Sequence, residues 1–181
     1  MKAADVVRRM QEHRMWVNQR LLAAAEKLSP EQLEQVCAIG QGTIWKSLVH
    51  MWAAEYVWLA ALHGEEAKLA PGDVAGKLPG NQEADGGIQT LSDLQSRWTD
   101  LDTAWRTYLA GLNDAALDDV VQKVRSNGQR FAFRRNDILL HVCTHAHYTA
   151  AQTVNMLRQV GAGELPDLMV ITLARSEPPL A

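Results

Sequence analysis

The chain has 181 residues, 47% of them hydrophobic and 22% charged, with 18 Lys+Arg against 21 Asp+Glu for a formal net charge of −3. This balance excludes disorder as the main state and leaves no basic excess for a nucleic-acid partner or an anionic membrane surface. At roughly 150 residues per domain, the length fits one domain over residues 1–181, able to fold on its own apolar core without a disulfide or a structural metal.

Two cysteines, Cys37 and Cys143, do not make the dense framework of small secreted domains, so a reducing compartment is expected. The first residues turn charged at Arg8 and Arg9 before an apolar run develops, which argues against an export signal and for a cytoplasmic protein. Leu48 to Leu62 is the longest apolar stretch, but it carries His50 and Glu55 and is shorter than the roughly 20 residues a bilayer requires.

In chain order, Val6, Met10, Val17, Leu21 and Leu28 recur at helical spacing and predict an amphipathic helix over 3–28, with Arg8, Arg9, Arg14 and Arg20 mostly off the apolar stripe. Ser29-Pro30-Glu31-Gln32 is a cap, a first-turn proline and a Gln three residues after the Ser, so a short helical turn follows. Residues 43–62 are apolar almost all round, the mark of a central helix with neighbours on several sides. Residues 64–87 hold Pro71-Gly72, Pro79-Gly80 and Gly86-Gly87 without apolar period and read as a long surface connection.

Ser92-Asp93-Leu94-Gln95 has the form of a capping box, and Leu94, Trp98, Leu101, Trp105, Tyr108 and Leu112 continue it as the third long helix. Asn127-Gly128 lies between strand formers and predicts a small hairpin within 120–133. With Asn136 as cap, 137–160 forms the fourth long helix, closed by Gly161, and an amphipathic piece over 166–175 precedes a Pro-Pro tail. The economical fold is an all-α four-helix bundle with a small hairpin excursion between helices three and four.

The chemistry gathers on histidines. His141 and His145 stand four residues apart, about 40° round the helix, the arrangement by which one helix offers two imidazoles to one ion. His147 lies about 200° from His145 and points to solvent or another surface. His50, among Ala53, Ala54 and Val57, lacks local hydrogen-bond partners and would be the third nitrogen of a divalent transition-metal site, Zn²⁺ or Ni²⁺ before others. The alternatives are a hydrogen-bonded core histidine and a chance histidine pair.

His13 falls on the first helix's stripe and reads as a cap or surface residue, although it could line the same cavity. Glu55 is about 140° round from His50, a buried hydrogen-bonding position rather than a ligand, and the two cysteines read as structural. No residue stands out as a general base.

Met15-Trp16-Val17-Asn18-Gln19-Arg20-Leu21-Leu22, then Gly42-Thr43-Ile44-Trp45-Lys46-Ser47-Leu48-Val49-His50 with Glu55 and Trp58, then His145 with Gln152 and Leu157-Arg158-Gln159-Val160-Gly161, resemble the DinB/YfiT-like family over nearly the whole chain. The resemblance implies a four-helix bundle that binds a divalent metal through three histidines. The family's first two ligands match His50 and His145. Its third, four residues after the second, matches Thr149, so the usual triad is broken. Either His141 supplies the missing nitrogen, or Thr149 leaves a two-histidine site, or no metal is bound; Thr hydroxyl is the poorer ligand, which favours His141.

For function the resemblance implies a metal-dependent enzyme, a thiol S-transferase or hydrolase acting on a small molecule, with a low-molecular-weight thiol as a cosubstrate and a homodimer as the assembly. The competing reading is a non-catalytic bundle without metal, a small-molecule-binding or oligomerisation module, supported by the absent third histidine. The family name carries no implication of DNA handling.

Overall fold

The computed structural model of the protein describes residues 2–125 and 127–178. Its long helices are α1 (Ala3–Ala25), α3 (Ile44–Leu62), α4 (Leu91–Ala110) and α5 (Arg135–Gln159), with short helices α2 (Pro30–Glu34) and α6 (Val170–Arg175). The four long helices form the expected bundle, in which α5 packs against both α1 and α3. No described helix is long and apolar enough to cross a membrane.

Local chemistry sets where these helices begin and end. Helix α1 stops at Ala25, short of the expected residue 28, and tightens into turns in which Lys27 N donates to Ala24 O at 3.3 Å and Leu28 N to Ala25 O at 3.1 Å, before Ser29, extended ahead of Pro30, caps α2. Ser29 Oγ accepts from Gln32 N at 3.3 Å and Gln32 Oε1 accepts from Ser29 N at 3.0 Å, the reciprocal pair read from the sequence. Helix α3 starts after Thr43, whose hydroxyl accepts from Lys46 N at 3.1 Å.

Two other caps differ from expectation. Helix α4 is capped by Thr90 and not Ser92: Thr90 Oγ1 accepts from Asp93 N at 3.1 Å, which starts the helix at Leu91. Helix α5 begins at Arg135, so Asn136 lies inside it; strand β2 runs straight into the helix, and Arg135 N finds a partner in Asp119 O at 2.8 Å. Helix α6 is confined to 170–175 because Asp167 accepts from Met169 N at 3.0 Å and Thr172 Oγ1 at 2.7 Å, holding the preceding residues in a turn. Beyond Pro178 the Pro-Pro tail lies outside the described residues.

The hairpin is present. Strands β1 (Val120–Val124) and β2 (Arg130–Arg134) pair antiparallel with Gln122 opposite Ala132. Val124 N donates to Glu66 O at 2.9 Å, so the ribbon is laced to the chain just beyond α3.

Leu48, Met51, Leu94, Trp98, Trp105, Ile138, Leu139 and Met156 are fully buried in one contiguous core. Arg14, expected off the apolar stripe, is also fully buried there. The reason is Glu55, whose carboxylate accepts from Arg14 Nη1, from Asn18 Nδ2 at 2.8 Å and from Trp98 Nε1 at 3.1 Å. Arg14 Nε donates to Gln11 Oε1 at 2.8 Å, and Gln11 Nε2 donates to Leu139 O at 2.8 Å. A buried charge is tolerated only when paired and hydrogen-bonded, and this network meets that condition while joining α1, α3, α4 and α5.

Candidate functional site

His50 leaves the most apolar helix toward α5, and there it meets His145. Their Nε2 atoms stand 3.1 Å apart, with the rings nearly edge-on at 5.0 Å between centroids. His50 Nδ1 donates to Pro79 O at 2.7 Å. A carbonyl can only accept, so this bond places a proton on Nδ1 and turns Nε2 toward His145. The partner that His50 lacks on its own helix comes from a loop 29 residues further along the chain.

That loop does more than run over the surface. Asp73 is buried and accepts from Gly80 N at 2.7 Å, Gln82 N at 3.1 Å and Gln82 Nε2 at 2.9 Å. Asn81 Oδ1 accepts from Val74 N at 3.0 Å. These bonds gather residues 73–82 into a compact turn and press Pro79-Gly80 onto α3. The backbone approach is close: a Cβ built on Gly80, whose φ is +84°, would lie 2.7 Å from His50 Cα, so glycine is required.

Burial drives the His145 imidazole down to about 4, with His50 and His141 adding to the effect, so the ring is neutral at physiological pH. Desolvation lowers His141 as well. His141 sits one turn before His145, with its centroid 5.7 Å from that ring and 5.1 Å from Trp58, edge-on to the indole. All three histidines line one cavity of about 860 Å³, walled by Val57, Trp58, Phe133 and Ile138 and flanked by the 73–81 turn and the hairpin.

The structure thus brings His50 and His145 into contact and places His141 beside them, turned to Trp58. Among the described residues no three His, Cys, Asp or Glu side chains converge as a ligand group. Thr149 is buried, and its carbonyl accepts from Thr153 Oγ1 at 2.9 Å.

A metal ion fits the pair that does converge. Two nitrogens each about 2.0–2.1 Å from one ion lie at most about 4.2 Å apart. The 3.1 Å separation is within that limit, both donors are imidazole, and the carbonyl bond at His50 is the kind that orients a ligating ring.

His13 and His147 form a second pair and do not line this cavity. His147 Nε2 is 3.0 Å from His13 Nδ1, while His147 Nδ1 donates to Cys143 O and His13 Nε2 to Leu168 O, each at 2.8 Å. His147 therefore meets another protein surface, and His13, expected as a cap or surface residue, is buried. Cys37 and Cys143 are free and buried, and burial pushes the Cys143 thiol up to about 12, far from a nucleophile's range.

Three contributors to the site escaped the sequence reading: the Pro79 carbonyl, Trp58 as a cavity wall, and Lys123. Only Lys123 carried a visible signal. It alternates with Val121 on the inward face of β1, where a charge is out of place.

Comparison with known proteins agrees with this architecture. Among solved structures the chain is similar to YfiT from Bacillus subtilis, "a probable metal-dependent hydrolase with an unusual four-helix bundle topology", at a TM-score of 0.60 and 17% identity, over 86% of this chain and 87% of that one. A search of curated proteins finds no match. The DinB family profile matches residues 2–173, and the chain belongs to the DinB family.

Proposed function

We propose that the protein is a metal-dependent enzyme of hydrolase type acting on a small molecule, with His50 and His145 holding a divalent transition ion and His141 becoming the third nitrogen when it rotates from Trp58 toward them. The observation that carries the reading is the facing Nε2 pair, 3.1 Å apart, in the wall of a cavity large enough for a substrate. The description of YfiT as a probable metal-dependent hydrolase supports it. A divalent ion supplies Lewis acidity, which lets water or a small thiol give up its proton near neutral pH.

The chain's own part is positioning. The Pro79 carbonyl fixes the His50 tautomer, so that a lone pair faces the cavity. Burial holds His145 neutral, and a neutral imidazole is the ligating form. Val57, Trp58 and Phe133 give one side of the cavity an apolar lining.

The test is metal content of protein purified without an affinity tag, followed by melting with added Zn²⁺ or Ni²⁺. An ion in 100-fold excess over its Kd stabilises by about 2.7 kcal/mol, so Tm should rise by roughly 5–10 °C. The rise should vanish in His50→Ala and His145→Ala and shrink in His141→Ala. Hydrolysis of an ester and amide panel should follow the same order. Melting curves indifferent to metal in every variant would leave a non-catalytic bundle.

A further inference from the structure

Four basic side chains line the histidine cavity, and three of them have evident partners. Lys68 pairs with Glu65 at 2.8 Å, Lys77 pairs with Glu83, and the Arg125 guanidinium lies 4.6 Å over the Phe131 ring. Lys123 differs. It is 8% exposed, and among the described residues no carboxylate lies within ion-pair distance of it. Its Nζ donates to Glu66 O at 3.3 Å, a long bond to a neutral acceptor, and stands 6.0 Å from the centroid of the Trp58 ring.

The cavity's carboxylates do not serve it. Asp73 is occupied by the turn that carries Pro79, and Asp137 sits exposed in the first turn of α5. An ammonium held in a cavity with one of its three protons on a carbonyl and the Trp58 ring at 6.0 Å recovers only part of the solvation it gives up. Trp58 connects it to the chemistry, because the same indole is touched by Lys123 on one strand and by His141 on α5.

We propose that the cavity takes a small molecule with a carboxylate on an apolar body, and that Lys123 is its anion anchor. Trp58 and Phe133 cover the apolar part, and the far end of the ligand faces His50 and His145. This rests on the reading of the cavity as a substrate site and names the class of substrate. It also explains why a lysine occupies the inward face of β1, where Val121 shows that an apolar side chain fits.

The probes are phenylacetate and phenylacetamide, matched in shape and different in charge, titrated into the ¹⁵N-labelled full chain while following the Trp58 indole Nε1–H. The expected result is a Kd for phenylacetate at least tenfold below that for the amide. Lys123→Met should bring the ratio near one, and Lys123→Arg should restore most of it. If Lys123→Met melts early, Lys123→Gln replaces it.

The ratio should persist in the His50→Ala, His145→Ala double variant, because it depends on the lysine and not on an ion. A preference that survives Lys123→Met, equal affinities in the wild type, or no saturable phenylacetate binding would overturn the proposal. Absence of metal uptake by the wild type, with the lysine-dependent preference intact, would instead overturn the metal reading alone.

Discussion

Asp102 on α4 is buried, with Oδ1 lacking a partner, and burial together with the Glu55 charge pushes its carboxyl from 3.8 to about 7. Below about pH 4 the group is protonated in the folded and unfolded chains alike. From there to about pH 7 the unfolded chain releases the proton and the folded chain keeps it, so stability falls as pH rises and levels off above. Asp102→Asn removes this dependence. The variant should therefore gain on the wild type by about 2–4 kcal/mol between pH 4 and pH 8, read by urea denaturation at both. A gap that stays constant with pH would show that Asp102 is ionised in the folded protein.

Among segments, the turn over 73–82 decides whether His50 is oriented. Gly80→Ala should destabilise the fold by about 1–3 kcal/mol, since a side chain there meets the His50 backbone and strains a positive φ. It should also weaken metal binding by roughly 10–100-fold, by shifting the Pro79 carbonyl that fixes the His50 ring. Gly76→Ala is the control: its φ is +85°, but a Cβ there meets nothing within 4 Å, so it carries the strain without the contact. Equal loss of metal affinity in the two variants would dismiss the role given to the turn.

The same segment shows where sequence reading stops. Helices α1 and α4 announce themselves through apolar period, α3 through a run apolar all round, α5 through its closing Gly161, and the hairpin through Asn127-Gly128. The 73–82 turn has no period, and what matters in it is a backbone oxygen, which no residue type marks. His50 and His145 were legible because imidazole is the natural donor for such an ion, whereas their closeness across 95 residues is a property of the packed bundle.

At the level of the whole molecule, the four long helices share one ionic knot. Glu55→Ala would leave Arg14 charged and unpaired in the core, and it should cost about 3–5 kcal/mol in a denaturation experiment. Replacing both partners by apolar residues, Arg14→Met with Glu55→Leu, should cost less than Glu55→Ala alone, since it removes the stranded charge. If the double variant is the worse of the two, the knot contributes net stability and not only registry between helices. Arg14 stands four residues after Met10 and three before Val17, on the apolar stripe of α1, so its spacing agrees with burial and only its charge argues for the surface. Nothing in one helix reveals that a carboxylate waits on another 41 residues away.

Lys123 and Phe133 reach the cavity from the two-stranded ribbon of β1 and β2, which roots Val121 in the core but contributes no side chain to the ionic knot. Rewriting Lys123 or Phe133 therefore alters what the cavity greets without disturbing the charge pair that ties the long helices together.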